Sequence, residues 1–236
     1  MPPTLMLLPG LNCDAAVWAA QVTALKGQAN CLIPAWGLRD TLTAMAQQVL
    51  AEAPTDRFCV AGHSMGGRVA LEIMRLAPQR VERLALLSTG THPLAAGEAG
   101  EKEKTGRMAL LKIAREQGMR AMAQEWARGM VHPERIATPV FGEVLDMIGR
   151  GSAAQFAAQI HALLNRPDAA PQLSGIQCPT LVLTGRQDSW SGPAQHEAMA
   201  AAIPGAELLI VENSGHMCTM EQPQAVSAAL AGWLQR

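Results

Sequence analysis

The stretch Arg57 to Ala77, RFCVAGHSMGGRVALEIMRLA, decides the fold. Its first part, Phe58 to Ala61, is a short apolar run typical of a strand that is buried on both faces. Further on, from Val69, apolar residues recur at helical spacing with charged residues between them, which predicts an amphipathic helix. A strand therefore passes directly into a helix across residues 62–66, which read GHSMG.

The turn 62–66 has the pattern G-x-S-x-G, which puts a serine at the apex of a sharp strand-to-helix bend. The bend forces Ser64 toward positive φ, and side chains two residues to either side would collide with neighbouring backbone, so glycines occupy both places. The following helix offers free N–H groups and a positive dipole end, which would stabilise negative charge near Ser64. The pattern predicts that Ser64 is a nucleophile.

Composition bounds the class of protein. The 236 residues suit one large α/β domain or a core domain with an inserted lid. A formal net charge of -1 gives no reason to expect a nucleic-acid or anionic-membrane partner, and a start without basic residues favours a cytoplasmic protein. Five cysteines without C-x-x-C pairing indicate free thiols and argue against a disulfide framework or a zinc site.

Apolar runs predict six strands, and helical patterns separate most of them. The runs are Thr4–Leu8, Cys31–Ala35, Phe58–Ala61, Val81–Leu87, Pro179–Gly185 and Glu207–Val211. Between the fourth and fifth runs only helical spacing is found, in the segments 101–117, 119–130, 138–149 and 152–164. The pattern predicts an α/β fold with a mainly parallel sheet, helices on both faces and a helical lid. We expect a core domain of 1–91 and 167–236 and a lid of 92–166.

A serine hydroxyl needs a base to take its proton and a third group to orient that base. His216 follows the sixth predicted strand and Asp188 follows the fifth, so both should lie at the carboxyl ends of the strands with Ser64. The loop after the fourth strand, 88–92, carries no carboxylate. Cys218, close to His216 in sequence, is an alternative nucleophile, but Ser64 holds the strained apex.

The order Ser64, Asp188, His216, together with AGHSMGG (61–67), CPTLVLTG (178–185) and the helical insertion, resembles the α/β-hydrolase superfamily. The likeness is to short-lidded serine esterases and enol-lactonases. It implies that Ser64 is the nucleophile, His216 the general base and acid, and Asp188 the group that orients His216. It also implies an oxyanion hole formed by the backbone N–H groups of Leu11 and Met65.

The superfamily's usual leading pair of strands is missing. We therefore expect about six parallel strands which, numbered in chain order, lie in the order 2-1-3-4-5-6. Methionines and aromatic residues in the lid segments predict an apolar acyl or alcohol pocket, whereas the charged stretch 101–107 reads as a solvated helix face. Candidate substrate contacts are Asn12, Trp126, Trp190 and Met217.

The resemblance implies hydrolysis of a small-molecule ester or lactone through an acyl-serine intermediate, with no metal and no cofactor. A cofactor-free haloperoxidase or perhydrolase and a carbon–carbon bond hydrolase use the same triad and remain alternatives. A non-catalytic small-molecule binding protein on the same scaffold is an alternative of another class. The quaternary structure is left open between a monomer and a homodimer.

Overall fold

A six-stranded parallel sheet forms the centre of the computed structural model, which describes residues 2–236. The sheet order is β2-β1-β3-β4-β5-β6, and each neighbouring pair is parallel, as the sequence predicted. The strands are β1 (Thr4–Leu8), β2 (Asn30–Leu32), β3 (Phe58–His63), β4 (Val81–Leu87), β5 (Thr180–Gly185) and β6 (Glu207–Val211).

β2 is shorter than predicted. It ends at Leu32, two residues before Pro34, instead of continuing to Ala35. Proline has no N–H to contribute to a ladder, so the pairing stops ahead of it, and β2 lies at an edge of the sheet. In contrast, every residue of β1, β3 and β5 is buried, which explains why those strands read as continuous apolar runs.

Ten α-helices cover the sheet and extend beyond it within residues 2–236: α1 (Ala19–Ala24), α2 (Leu42–Glu52), α3 (Met65–Leu76), α4 (Glu98–Glu116), α5 (Met119–Trp126), α6 (Pro139–Gly149), α7 (Ala153–Leu164), α8 (Pro193–Ala202), α9 (Cys218–Glu221) and α10 (Pro223–Leu234). None of them is long and apolar enough to cross a membrane. α3 begins directly after Ser64, so the strand-to-helix turn lies where the sequence placed it.

Helices α4 to α7 form the insertion between β4 and β5. α5 ends at Trp126, four residues before the predicted end, because a 3₁₀ turn, Ala127–Gly129, follows it. The apolar sides of these helices join the core through buried residues that include Met122, Ile148 and Phe156. The insertion is therefore packed onto the core above the carboxyl ends of the parallel strands, which is where ligands bind in such sheets.

Candidate active site

Ser64 occupies a strained bend between β3 and α3. Its backbone has φ 55° and ψ -118°, a conformation that costs a non-glycine residue about 1–3 kcal/mol. A Cβ on Gly62 would lie 2.3 Å from the carbonyl oxygen of Gly66, and a Cβ on Gly66 would lie 2.1 Å from that of Leu8. Only glycine fits at either place, so the packing around the turn explains both glycines of the G-x-S-x-G pattern.

Three distant side chains form one hydrogen-bonded chain. The Oγ of Ser64 lies 2.8 Å from Nε2 of His216, and Nδ1 of His216 lies 2.8 Å from Oδ2 of Asp188. The other carboxylate oxygen of Asp188 accepts hydrogen bonds from the backbone N–H groups of Trp190 and Ser191, each 2.9 Å long. The geometry is that of a nucleophile, a base and a carboxylate that orients the base.

Asp188 is held in its charged form. Burial alone would raise the pKa of this carboxyl group. The charge and hydrogen bond of His216, with the backbone N–H groups of Ser191 and Trp190, outweigh burial and keep the pKa of Asp188 well below its usual range. A permanent carboxylate on the Nδ1 side fixes the proton of a neutral His216 on Nδ1, which leaves Nε2 as the acceptor facing Ser64.

The loop that carries His216 is fixed by contacts that the sequence did not reveal. The backbone N–H groups of His216 and Met217 both donate to the carbonyl oxygen of Met130, at 2.7 and 3.2 Å. The carboxylate of Glu221 accepts from the N–H groups of Gly215, Met217 and His132. Glu221 is buried and follows His216 by five residues, but nothing in its local sequence marks it as a loop clamp.

His63, beside the nucleophile, is fully buried. Its Nε2–H donates to the carbonyl oxygen of His216 at 2.8 Å, because a carbonyl can only accept. Its Nδ1 has no hydrogen-bond partner among residues 2–236. Burial and then the charge of His216 lower the pKa of His63 to about 4, so this ring is neutral near pH 7. His63 therefore holds the backbone of His216 through this hydrogen bond, and it is His216, not His63, that contacts the Oγ of Ser64.

Leu11 and Met65, whose backbone N–H groups are the predicted oxyanion hole, lie beside Ser64. Leu11 follows β1 and Met65 is the first residue of α3, and both line the same cavity as Ser64. Neither N–H group donates to an acceptor within residues 2–236. Free donors beside a nucleophile, one of them at the positive end of a helix, can stabilise an oxyanion.

A cavity of about 440 Å³ opens beside the triad. One wall is apolar and agrees with the predicted pocket: it is formed by Leu110, Trp126, Met130, Phe156, Leu163 and Trp190. The rings of Trp126 and Trp190 are stacked 5.8 Å apart, and Trp190 lies 5.0 Å from the ring of His216. A second part of the lining, the charged wall, is formed by Arg68, Lys102, Glu103, Arg107 and Arg166, and the sequence did not indicate it.

The other candidate substrate contacts lie outside this lining. Asn12 donates from its side chain to the carbonyl oxygen of Ile148 and from its backbone to the side chain of Gln159, and it lines a neighbouring cavity. Met217 is fully buried in the core. Cys218, the alternative nucleophile, is also buried, and burial raises the pKa of its thiol to about 12, so a thiolate is disfavoured.

All five cysteines are free thiols, as the sequence indicated. No group of three or more histidine, cysteine, aspartate or glutamate side chains within residues 2–236 is arranged to hold a metal ion.

The geometry agrees with what comparison with known proteins finds. A model of the alpha/beta hydrolase family matches residues 5–229. The chain belongs to this family. Several proteins with similar sequences are hydrolases of small molecules, according to their names. An Acinetobacter baylyi (E)-2-((N-methylformamido)methylene)succinate hydrolase is 27% identical over 256 residues, which cover 98% of this chain and 90% of that protein.

Two further similar proteins are informative. The 3-oxoadipate enol-lactonase 2 of Acinetobacter baylyi is 30% identical over 187 residues, covering 78% of this chain and 66% of that protein. The solved structure of a thermophilic esterase from Thermogutta terrifontis is 27% identical, covers 99% of this chain and 91% of its own, and superposes with a TM-score of 0.87. These comparisons support a hydrolase with esterase-like and enol-lactonase-like relatives.

Proposed function

We propose that this alpha/beta hydrolase cleaves a carboxylic ester or lactone through an acyl-Ser64 intermediate. The observation that carries the proposal is the continuous hydrogen-bond chain from Ser64 through His216 to Asp188 at the wall of the cavity. Residues 92–166 are proposed as the lid, because the insertion supplies Trp126, Met130 and Phe156 to that cavity.

In the first half of the reaction, the Oγ of Ser64 attacks the carbonyl carbon of the substrate and its proton passes to Nε2 of His216. The carbonyl oxygen becomes an oxyanion, which the N–H groups of Leu11 and Met65 stabilise. The bond from the carbonyl carbon to the leaving oxygen then breaks, and His216 returns its proton to that oxygen. An ester releases an alcohol; a lactone opens and keeps its hydroxyl or enol on the acyl chain.

In the second half, water replaces the leaving group. His216, now neutral, takes a proton from the water, which attacks the acyl carbon and forms a second oxyanion in the same position. The bond to the Oγ of Ser64 breaks, and His216 gives the proton back to Ser64. Asp188 remains a carboxylate throughout and stabilises the imidazolium of His216.

The comparisons favour hydrolysis of an ester or a lactone over peroxidation and over hydrolysis of a carbon–carbon bond. One related protein is named an enol-lactonase and another an esterase. An open cavity with an apolar wall next to two free N–H donors suits a neutral carbonyl that becomes an anion.

The test is labelling with a fluorophosphonate probe combined with release of p-nitrophenol from p-nitrophenyl butyrate. We expect one probe per chain on Ser64, and Ser64→Ala should lose both labelling and turnover. The matched control is Ser174→Ala, which changes an exposed serine outside the cavity and should label and turn over like the wild type. Folded wild-type protein that takes up no probe and releases no p-nitrophenol would contradict the proposal and favour a binding protein.

A further inference from the structure

The charged wall of the cavity carries more positive charge than the protein compensates. Three guanidinium groups, those of Arg68, Arg107 and Arg166, meet there. Glu103 is the only acidic side chain among the residues that line the cavity. Its carboxylate accepts from Arg107 at 2.9 Å and from two nitrogens of Arg166 at 2.7 and 2.8 Å. Two units of positive charge therefore remain without a partner, and the exposed Lys102 adds a third at the rim.

Arg68 is the guanidinium that lacks a carboxylate. It donates one hydrogen bond, of 2.8 Å, to the carbonyl oxygen of His92, which also accepts from Arg166. A guanidinium has five N–H donors, so several donors of Arg68 are left to face the cavity. Burial, and then the nearby charge of Arg166, lower the pKa of Arg68 to about 9. Both effects would be relieved by an anion that entered the cavity.

Arg68 is also well placed relative to the nucleophile. It belongs to α3 and follows Ser64, the residue that precedes this helix, by four positions, which is about one helical turn or roughly 6 Å along the helix axis. Both residues line the same cavity, as do Leu11 and Met65. An acyl chain bound to Ser64 can therefore extend toward Arg68 across the cavity. The anion that a planar guanidinium fork fits best is a carboxylate or a phosphate.

We propose that Arg68, supported by Arg166 and Arg107, binds a carboxylate on the acyl part of the substrate, so that the natural substrates are anionic monoesters or lactones of dicarboxylic acids. The inference rests on the proposed function and narrows it. A carboxylate is favoured over a phosphate because the cavity also has an apolar wall, where a singly charged carboxylate costs less to desolvate than a doubly charged phosphate. The apolar wall formed by Trp126, Phe156 and Leu163 would contact the methylene groups between the two ends.

The test compares two esters that differ in one charge: mono-p-nitrophenyl adipate and its methyl ester, p-nitrophenyl methyl adipate. We expect wild-type kcat/KM to be about tenfold or more higher for the anionic ester, since hydrogen bonds to charged groups are among the stronger ones. In Arg68→Met the ratio of the two kcat/KM values should fall close to one. Lys102→Met, which changes an exposed side chain and leaves the fold intact, should lower the ratio by a smaller factor.

The matched control is Arg115→Met, which removes the same charge from an exposed position of α4 outside the cavity and should keep the wild-type ratio. Equal use of both esters by the wild type, or a ratio unchanged in Arg68→Met, would overturn the inference and leave the proposed function intact. If neither ester is hydrolysed, the proposed function fails. Binding of adipate, measured by isothermal titration calorimetry, then tests the anion site by itself. Binding that is lost in Arg68→Met supports the anion site, and absence of binding to the wild type overturns it.

Discussion

His63 should make the protein lose stability when the pH falls below neutrality. The ring is fully buried beside Ser64, 5.2 Å from the ring of His216, so protonation would place a positive charge in a site without water. Its Nε2–H already donates to the carbonyl oxygen of His216, and Nδ1 has no partner within residues 2–236 that could receive a new proton's hydrogen bond. The folded protein therefore resists a proton that the unfolded chain accepts.

The sign and size of this change in unfolding free energy follow from the two pKa values of His63. The pKa of His63 is 6.5 in the unfolded chain and about 4 in the folded protein, because of burial and then the charge of His216. Between these values the unfolded state binds the extra proton, so stability is complete above pH 6.5 and falls as the pH drops toward 4. Between pH 7 and pH 5 the loss from this one group is about 2 kcal/mol.

Urea unfolding at 25 °C, followed by tryptophan fluorescence, measures this loss. The free energy of unfolding is determined at pH 7 and at pH 5 for the wild type and for His63→Gln, whose side-chain amide can still donate to His216. The variant should lose about 2 kcal/mol less than the wild type over this range. His196, whose pKa is also lowered by burial, is present in both proteins and cancels in the difference. His161→Gln, at an exposed histidine, is the control.

An equal pH dependence in the wild type and in His63→Gln would refute the reasoning. It would mean that the folded protein admits the proton, through water or through a rearrangement of the loop that carries His216.

Three further changes test other parts of the structure. Asp188→Asn should lower kcat for p-nitrophenyl butyrate about 10³- to 10⁴-fold with the fold intact, because a neutral amide no longer fixes the tautomer of His216. Gly66→Ala should destabilise the protein by more than about 3 kcal/mol in urea unfolding, since the new Cβ meets backbone, whereas Gly142→Ala, at an open helix position, should stabilise it by up to about 1 kcal/mol. Glu221→Ala leaves the backbone N–H groups of Gly215 and His132 without an acceptor and should cost about 3 kcal/mol of unfolding free energy.

Each of these has a control or a contradicting result. Asp40→Asn, at an exposed aspartate, should keep the wild-type kcat, and a comparable loss there would remove the tautomer argument. A Gly66→Ala protein as stable as the wild type would show that β1 moves away from the turn at little cost. Glu197→Ala, at an exposed glutamate of α8, should change the unfolding free energy by less than about 0.5 kcal/mol.

The sheet could be predicted because its strands are short and buried on both faces. Buried parallel strands need apolar side chains at nearly every position, so β1, β3 and β5 stand out from the helices between them. The strand order came from the resemblance and is confirmed. The apolar pattern predicts too long a β2, because the residues after Leu32 are apolar although Pro34 cannot join the ladder.

The site was predictable to the extent that topology brings strand ends together. Ser64, Asp188 and His216 each follow a strand, and parallel strands end at one edge, so their proximity follows from the sheet alone. The directions of neighbouring side chains do not. Asn12 and Met217 are adjacent in sequence to parts of the site, but their side chains turn to the insertion and the core.

The charged wall could not be predicted because it depends on how the insertion docks. Arg68 belongs to the core helix α3, whereas Glu103 and Arg107 belong to α4, in a stretch whose mixed charges are typical of a solvated face. That interpretation holds for one side of α4 only, since Glu103 and Arg107 also line the cavity. The amphipathic pattern gives the buried face of such a helix, but the depth and angle of docking follow from tertiary contacts.

The contact between Met130 and the loop of His216 bears on attempts to graft new insertions onto this core. The carbonyl oxygen of Met130 receives two N–H groups of the loop, and a Cβ on Gly215 would lie 2.7 Å from the backbone of the adjoining residues. A chimera that replaces residues 92–166 must therefore reproduce a carbonyl acceptor and a close backbone approach at this point. Without these two features, the new segment would change the substrate selectivity and would also displace His216 from Ser64.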